Sequence, residues 1–159
     1  MASVFKVKWL PRAQARHRHT RSGHVYDPSS KDKKDFLKLI LNQLPKEPIK
    51  EPIAISITWE LPYPKKWLRT GKYEGLVKDQ APSVHSSKPD IDNLEKFLFD
   101  SLNGKLFVDD CLIWLVTKQK VYSTDPGVTI EVEITNERKC KHVSHRQCGC
   151  QYKANRSDY

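Results

Sequence analysis

The sequence predicts an α+β fold: a single domain in which two main helices pack on a mixed β-sheet. Alternating apolar residues at Ile53, Ile55, Ile57 and Trp59, and at Val128, Ile130, Val132 and Ile134, have the period of half-buried strands. Phe36, Leu37, Ile40, Leu41 and Leu44, and then Ile91, Leu94, Leu98 and Leu102, form stripes of helical period. The length of 159 residues suits one domain with a modest core. Charged residues make up 30% of the chain, but its apolar residues are periodic, which argues for an ordered domain.

The elements follow in order. Phe5, Val7 and Trp9 alternate with Lys6 and Lys8, as in a half-buried strand. Residues 11–26 read as a basic loop rich in arginine and histidine. Ser29 and Ser30 are N-cap candidates for a helix over residues 31–44, which Pro45 ends. Ile53 to Trp59 is the second strand. Residues 62–89 form a long connection that is basic and aromatic, and long connections in compact domains are commonly functional. The second helix spans the stripe from Ile91 to Leu102, and Asn103-Gly104 stops it. Cys111 to Val116 is apolar at successive positions and reads as a central strand buried on both faces, with Cys111 a buried thiol. Thr124 to Gly127 is a turn into the last strand. The order is strand, helix, strand, helix, strand, strand. Periodicity stops after Thr135, which divides the chain into a domain over 1–135 and a basic tail over 136–159.

Charge is distributed unevenly. The formal net charge is +9. The stretch KPDIDNLEKFLFDSLNGKLFVDD, residues 88–110, holds six acids and three lysines and carries −3, so the remainder carries 9 − (−3) = +12. So basic a background points to an anionic partner, first of all nucleic acid. No run of apolar residues approaches spanning length, the first residues lack the apolar core of a signal peptide, and no basic amphipathic helix stands out. A cytoplasmic protein with reduced thiols and no membrane partner is expected.

Two readings of the acidic stretch are open. Asp90 suits an N-cap, Asp92 a first-turn acid, Asp100 a solvated or salt-bridged position and Asp109-Asp110 a turn. Alternatively, the acids at the two ends of the stretch converge. Clustered carboxylates repel one another unless a cation joins them, and hard oxygen donors suit Mg²⁺ or Mn²⁺. Such an ion beside a phosphate-binding surface serves phosphodiester hydrolysis, because it activates water and offsets charge on the transition state. Convergence requires Asp90 to lie in the extended segment entering the helix, where Pro89 favours an extended conformation just before it, and the short return before Asp109 to double back.

The residues "KPDIDNLEKFLFDSLNG", followed by "DD" and "IWLVTKQK", resemble the RusA family of crossover-junction endodeoxyribonucleases. Its pattern is P-D-x-D-N-x-x-K at a helix start, D-x-L-N-G at the helix end and an Asp pair before a strand ending in basic residues. "QARHRHTRSGHVYDP" is similar to the Arg-rich loop of phage-type members, and the resemblance covers residues 4–135. It implies a Mg²⁺-dependent homodimer that resolves four-way (Holliday) DNA junctions by paired symmetric nicks. On the matching positions, Asp90, Asp92 and Asp110 are the implied metal ligands, with Asp109 a further candidate, and Lys96 is the motif lysine that orients carboxylates or stabilises the scissile phosphate. Rival readings are a junction-binding protein without turnover and a nuclease for other branched DNA or RNA.

Arg12, Arg16, Arg18, Arg21, Lys65, Lys66, Arg69 and Lys72 are the phosphate-contact candidates. Trp67 and Tyr73 are placed to stack on unpaired bases. In the tail, Cys140, His142, His145, Cys148 and Cys150 include ligand types that Zn²⁺ prefers, at a spacing that matches no standard finger.

Overall fold

The computed structural model describes residues 2–135. Among the described residues there are six strands and two α-helices: β1 (Ala2–Val7), β2 (Arg18–His19), β3 (Val25–Tyr26), α1 (Ser30–Ile40), β4 (Ile53–Pro62), α2 (Ile91–Leu102), β5 (Ile113–Ser123) and β6 (Gly127–Ile134). The main sheet has the order β1-β6-β4-β5. β6 runs antiparallel to both of its neighbours, and β4 and β5 run parallel, so the sheet is mixed. The expected α+β class, with two main helices on a mixed sheet, is the one observed. No helix among the described residues is long and apolar enough to cross a membrane.

Strand alternation decides which face is covered. Phe5 and Val7, Ile53 through Trp59 at every second position, and Val128, Ile130 and Val132 are buried on one face. Phe36 and Ile40 of α1 and Leu94, Phe97, Leu98 and Leu102 of α2 complete the same core. Each such side chain contributes about 1.5–3 kcal/mol by leaving water. Trp9 closes one end: its ring stacks on Phe97 at 5.1 Å and lies tilted against Phe36 at 5.1 Å. Ser56, Glu131 and Glu133 point to the opposite face, which carries no helix layer among the described residues.

Three local expectations change. The basic loop contains a small hairpin, β2–β3, turning through Gly23 at φ 79°. Ser29 stands at the N-cap of α1 but does not cap it, because its Oγ accepts the Ala15 N–H at 2.9 Å. That bond belongs to a polar knot under the hairpin. Asp27 accepts from Gln14, the Ser29 N–H and Lys33, and Lys33 also binds Asp100 at 2.8 Å. Burial raises the Asp27 carboxyl pKa, but the Lys33 ammonium and the Ser29 and Gln14 donors outweigh it and hold the group below its usual range. Asp100 is thus a salt-bridged helix residue.

The third change concerns β5, which is an edge strand and not a central one. Trp114 and Leu115 are exposed, and the Trp114 indole donates to Thr135 Oγ1 at 2.8 Å. The apolar run that suggested burial on both faces spans a bulge at the start of the β4–β5 register, and over that run the strand has a neighbour on one side only among the described residues. Cys111 is exposed as well, because it sits in the 3₁₀ turn Asp110–Leu112 that precedes the strand.

Candidate active site

The start of α2 shows why the two paired acids are unusual. Asp90 is the N-cap in extended conformation, with φ −72° and ψ 142°, and its carbonyl accepts the first helical bond from Leu94 N–H. An N-cap aspartate normally turns its carboxylate onto the N–H groups of the first turn, which stabilises a helix by about 1 kcal/mol. Asp90 makes no such bond. Asp90 and Asp92 instead line an open cleft of about 740 Å³, together with His85, Ser87, Gln119 and Lys120. The Asp90 carboxylate is thus left unbonded to its own helix at the cleft.

Asp109 does the opposite. Its Oδ1 accepts the Cys111 N–H at 2.9 Å and caps the 3₁₀ turn, and that N–H holds its carboxyl pKa below the usual range. It serves local structure. Asp110, the next residue, is exposed at the same turn.

Within one chain Asp110 does not meet Asp90 and Asp92. The return from α2 does not double back along the helix: Gly104 and Phe107 close a tight turn at its C-terminal end, with Gly104 at φ 69° and its N–H on the Phe107 carbonyl at 2.8 Å. β5 then runs back beside α2, where Lys118 pairs with Glu95 and Lys120 reaches the Pro89 carbonyl. Asp110 lies before the first residue of β5 and the cleft lies beside Lys120, a separation of about 23 Å at the rise of a strand. Among the described residues no three of His, Cys, Asp and Glu are grouped to hold one ion. The expected within-chain convergence is therefore corrected. One chain offers two carboxylates, Asp90 and Asp92, whose hard oxygens suit a divalent cation but fall short of a full ligand set.

The sequence profile described as Endodeoxyribonuclease RusA matches residues 8–133. The chain belongs to the RusA endodeoxyribonuclease family. It is also similar to the uncharacterized protein YqaN of Bacillus subtilis (strain 168), with 30% identity over 133 residues, covering 80% of this chain and 93% of YqaN. Membership of the RusA family implies an endonuclease that acts on DNA junctions.

In this RusA-family chain the expected DNA-contact residues fall on two surfaces. The arginine arm crosses the first turn of α2, where the Gln14 N–H donates to the Asn93 carbonyl at 2.9 Å. Arg16, Arg18 and Arg21 are exposed there. Arg12 is already committed, since one guanidinium nitrogen contacts both Asp32 oxygens at 3.0 and 3.2 Å. On the long connection Arg69 grips Asp79 in the same way. Lys65 and Lys66 are exposed on a 3₁₀ turn, Lys66 lies over Trp67 at 5.4 Å, and Lys72 lies over Tyr73 at 5.9 Å. Lys96 is exposed one turn beyond Asp92 and forms no ion pair among the described residues.

Sequence reasoning missed His85, Gln119 and Lys120. His85 is buried against Tyr122 at 4.5 Å between ring centroids, and Tyr122 stacks on Tyr63 at 5.0 Å. Burial, and then the charge of Lys120, lower the His85 pKa and favour the neutral imidazole. One signal was available: Lys118 and Lys120 alternate with Val116 on the strand face that packs toward α2, where apolar residues belong. Cys140, His142, His145, Cys148 and Cys150 lie outside the described residues, as does the whole proposed tail.

Proposed function

We propose that this chain is a divalent-metal-dependent endonuclease that resolves four-way DNA junctions as a homodimer in the cytoplasm. The observation that carries the reading is Asp90, whose carboxylate does not cap its helix and which lines a shared cleft with Asp92 beside an exposed arginine arm. The arm and the 3₁₀ lysines gather phosphates, and Trp67 and Tyr73 take unstacked bases at the branch point.

Asp90 and Asp92 of one chain and Asp110 of a second copy would hold Mg²⁺, with Mn²⁺ as a substitute. Such an ion, when bound, supplies water activation and offsets charge at the scissile phosphate. The free edge of β5 supports the composite arrangement. That edge is bare of strand partners from Ile113 to Gln119 among the described residues, whereas beyond it the Ser83–His85 segment pairs with the strand. A two-fold axis through the bare stretch pairs two β5 strands antiparallel, covers Trp114 and Leu115, and carries each Asp110 toward the other chain's cleft. Two-fold symmetry also suits paired nicks on opposed strands. Lys96, one turn beyond Asp92, would meet the scissile phosphate.

The deciding assay sets a labelled four-way junction beside linear duplex, flap, single-stranded DNA and RNA, each with Mg²⁺ or with EDTA. Paired nicks on the junction in Mg²⁺ alone are expected, and Asp92→Asn abolishes them while binding persists. Cleavage of flap or RNA in preference to the junction reassigns the substrate. Binding without cleavage in either metal leaves a junction-binding protein.

A further inference from the structure

The turn that delivers Asp90 to the cleft has only long side-chain contacts of its own: the Ser87 hydroxyl lies 3.4 Å from His85 Nε2 and 3.4 Å from the Tyr122 hydroxyl. Ser83–His85 lies as a short antiparallel neighbour of β5, with the Tyr122 N–H on the Ser83 carbonyl at 2.8 Å and the His85 N–H on the Lys120 carbonyl at 3.2 Å. The chain then leaves the sheet through Ser86–Pro89 and starts α2 at an N-cap that does not cap. At that departure the Lys120 ammonium donates to two main-chain carbonyls, Ser87 and Pro89, each at 2.7 Å.

We propose that Lys120 is the positioning residue of the site: its ammonium locks the Ser86–Pro89 turn to β5 and so keeps the Asp90 carboxylate in the cleft and off its own helix. The inference rests on the nuclease reading above and deepens it. Three features single out this lysine. It is half-buried and lines the same cleft as Asp90 and Asp92, yet forms no ion pair with either among the described residues. Two of its three N–H donors are spent on carbonyls in charge-assisted bonds, which hold geometry better than neutral ones. Lys118, two residues earlier on the same strand face, pairs with the Glu95 carboxylate instead, so salt-bridging to α2 is the alternative that Lys120 does not take. Without the latch, the carbonyls of Ser87 and Pro89 turn to water and the N–H groups of the first helical turn compete for Asp90, because an N-cap aspartate bonds them by default. Lys120 thus acts on the site through Asp90 and is not itself a catalytic residue.

The test uses the full chain as Lys120→Met, Lys120→Arg and, as a control, Lys118→Met. The first readout is amide hydrogen exchange without metal or DNA. Lys120→Met speeds exchange at the amides of Ser86 to Asn93 and leaves the β6 amides of Val128 to Val132 protected, which reports an intact fold. The second is Mn²⁺ binding followed by the loss of the free-ion resonance: Lys120→Met raises the half-saturating concentration by about tenfold or more. Lys120→Arg, which keeps charge and donors, restores most of that loss, and Lys118→Met stays near wild type. Junction affinity in EDTA is the same for all four proteins. Wild-type exchange and wild-type Mn²⁺ binding in Lys120→Met overturn the latch. So does weaker junction binding in EDTA with a salt slope shallower by about one, which marks Lys120 as a phosphate contact. If the wild-type protein cuts no DNA, the nuclease reading falls while the exchange contrast still judges the latch. If it cuts and the contrast is absent, the latch alone falls.

Discussion

Mixing two inactive variants tests whether the third carboxylate comes from a second copy. Asp92→Asn removes an acid from the cleft, and Asp110→Asn removes the acid at the start of β5. Carboxylates that share one Mg²⁺ place their oxygens about 2.1 Å from it, so they lie within a few ångströms of each other. The strand between Ile113 and Lys120 separates the two positions by about 23 Å within a chain, and no side chain spans that gap. Each variant alone is therefore dead, since both of its composite sites lack an acid. In a mixed dimer one site carries both substitutions and the other carries neither. Equal mixing makes about half the dimers mixed, each with one intact site of two, so nicking returns to about a quarter of the wild-type rate. The product is a singly nicked junction, because the opposed site is dead. The assay is strand-resolved cleavage of a labelled junction after the variants are mixed in mild denaturant and refolded. A mixture as inactive as its components refutes the composite site and the β5 pairing that assembles it.

Three further outcomes follow from the contacts described. Arg16, Arg18 and Arg21 are exposed and Arg12 is held by Asp32, so replacing the first three by alanine lowers the salt slope of junction binding by about 2.7 in a plot of log affinity against log salt, whereas Arg12→Ala changes it less. Asp27→Asn loosens the knot beneath the arm and costs about 1.5–3 kcal/mol at neutral pH, measured by urea unfolding. The folded-state pKa of Asp27 lies below its ordinary value of 3.8, so its contribution is complete above that value and disappears as pH falls through the folded value, and the gap between the two proteins closes in acid. His85 has a lowered pKa in the folded state, so the unfolded chain takes its proton first as pH falls below 6.5. The thermal midpoint of the wild-type protein accordingly drops more steeply below that pH than that of His85→Phe.

Much of the fold was legible because periodicity is local. Ile53 to Trp59 alternates by itself, and Leu94, Leu98 and Leu102 share a helix face whatever they pack against. The reading of β5 failed for a definite reason: Ile113, Trp114 and Leu115 are apolar, but apolar composition does not distinguish a strand with two neighbours from one at the edge of its sheet. Cys111 was misread with it. The committed state of Arg12 and Arg69 was hidden as well, because each is paired with an acid on a separate segment.

The amino-acid sequence by itself determined the strands and helices, the basic background and the acidic motif of the family, since each depends on neighbours a few positions apart. Only the tertiary structure decided which acids share a cleft. Asp109 and Asp110 are adjacent in the chain, yet one caps a turn and the other is exposed. Asp90 and Lys120 are thirty positions apart in sequence but share one cleft. The physical reason is the direction of β5. A strand that runs back beside α2 brings its far end, and not its start, to the helix N-terminus, so Lys120 arrives where Asp110 was expected.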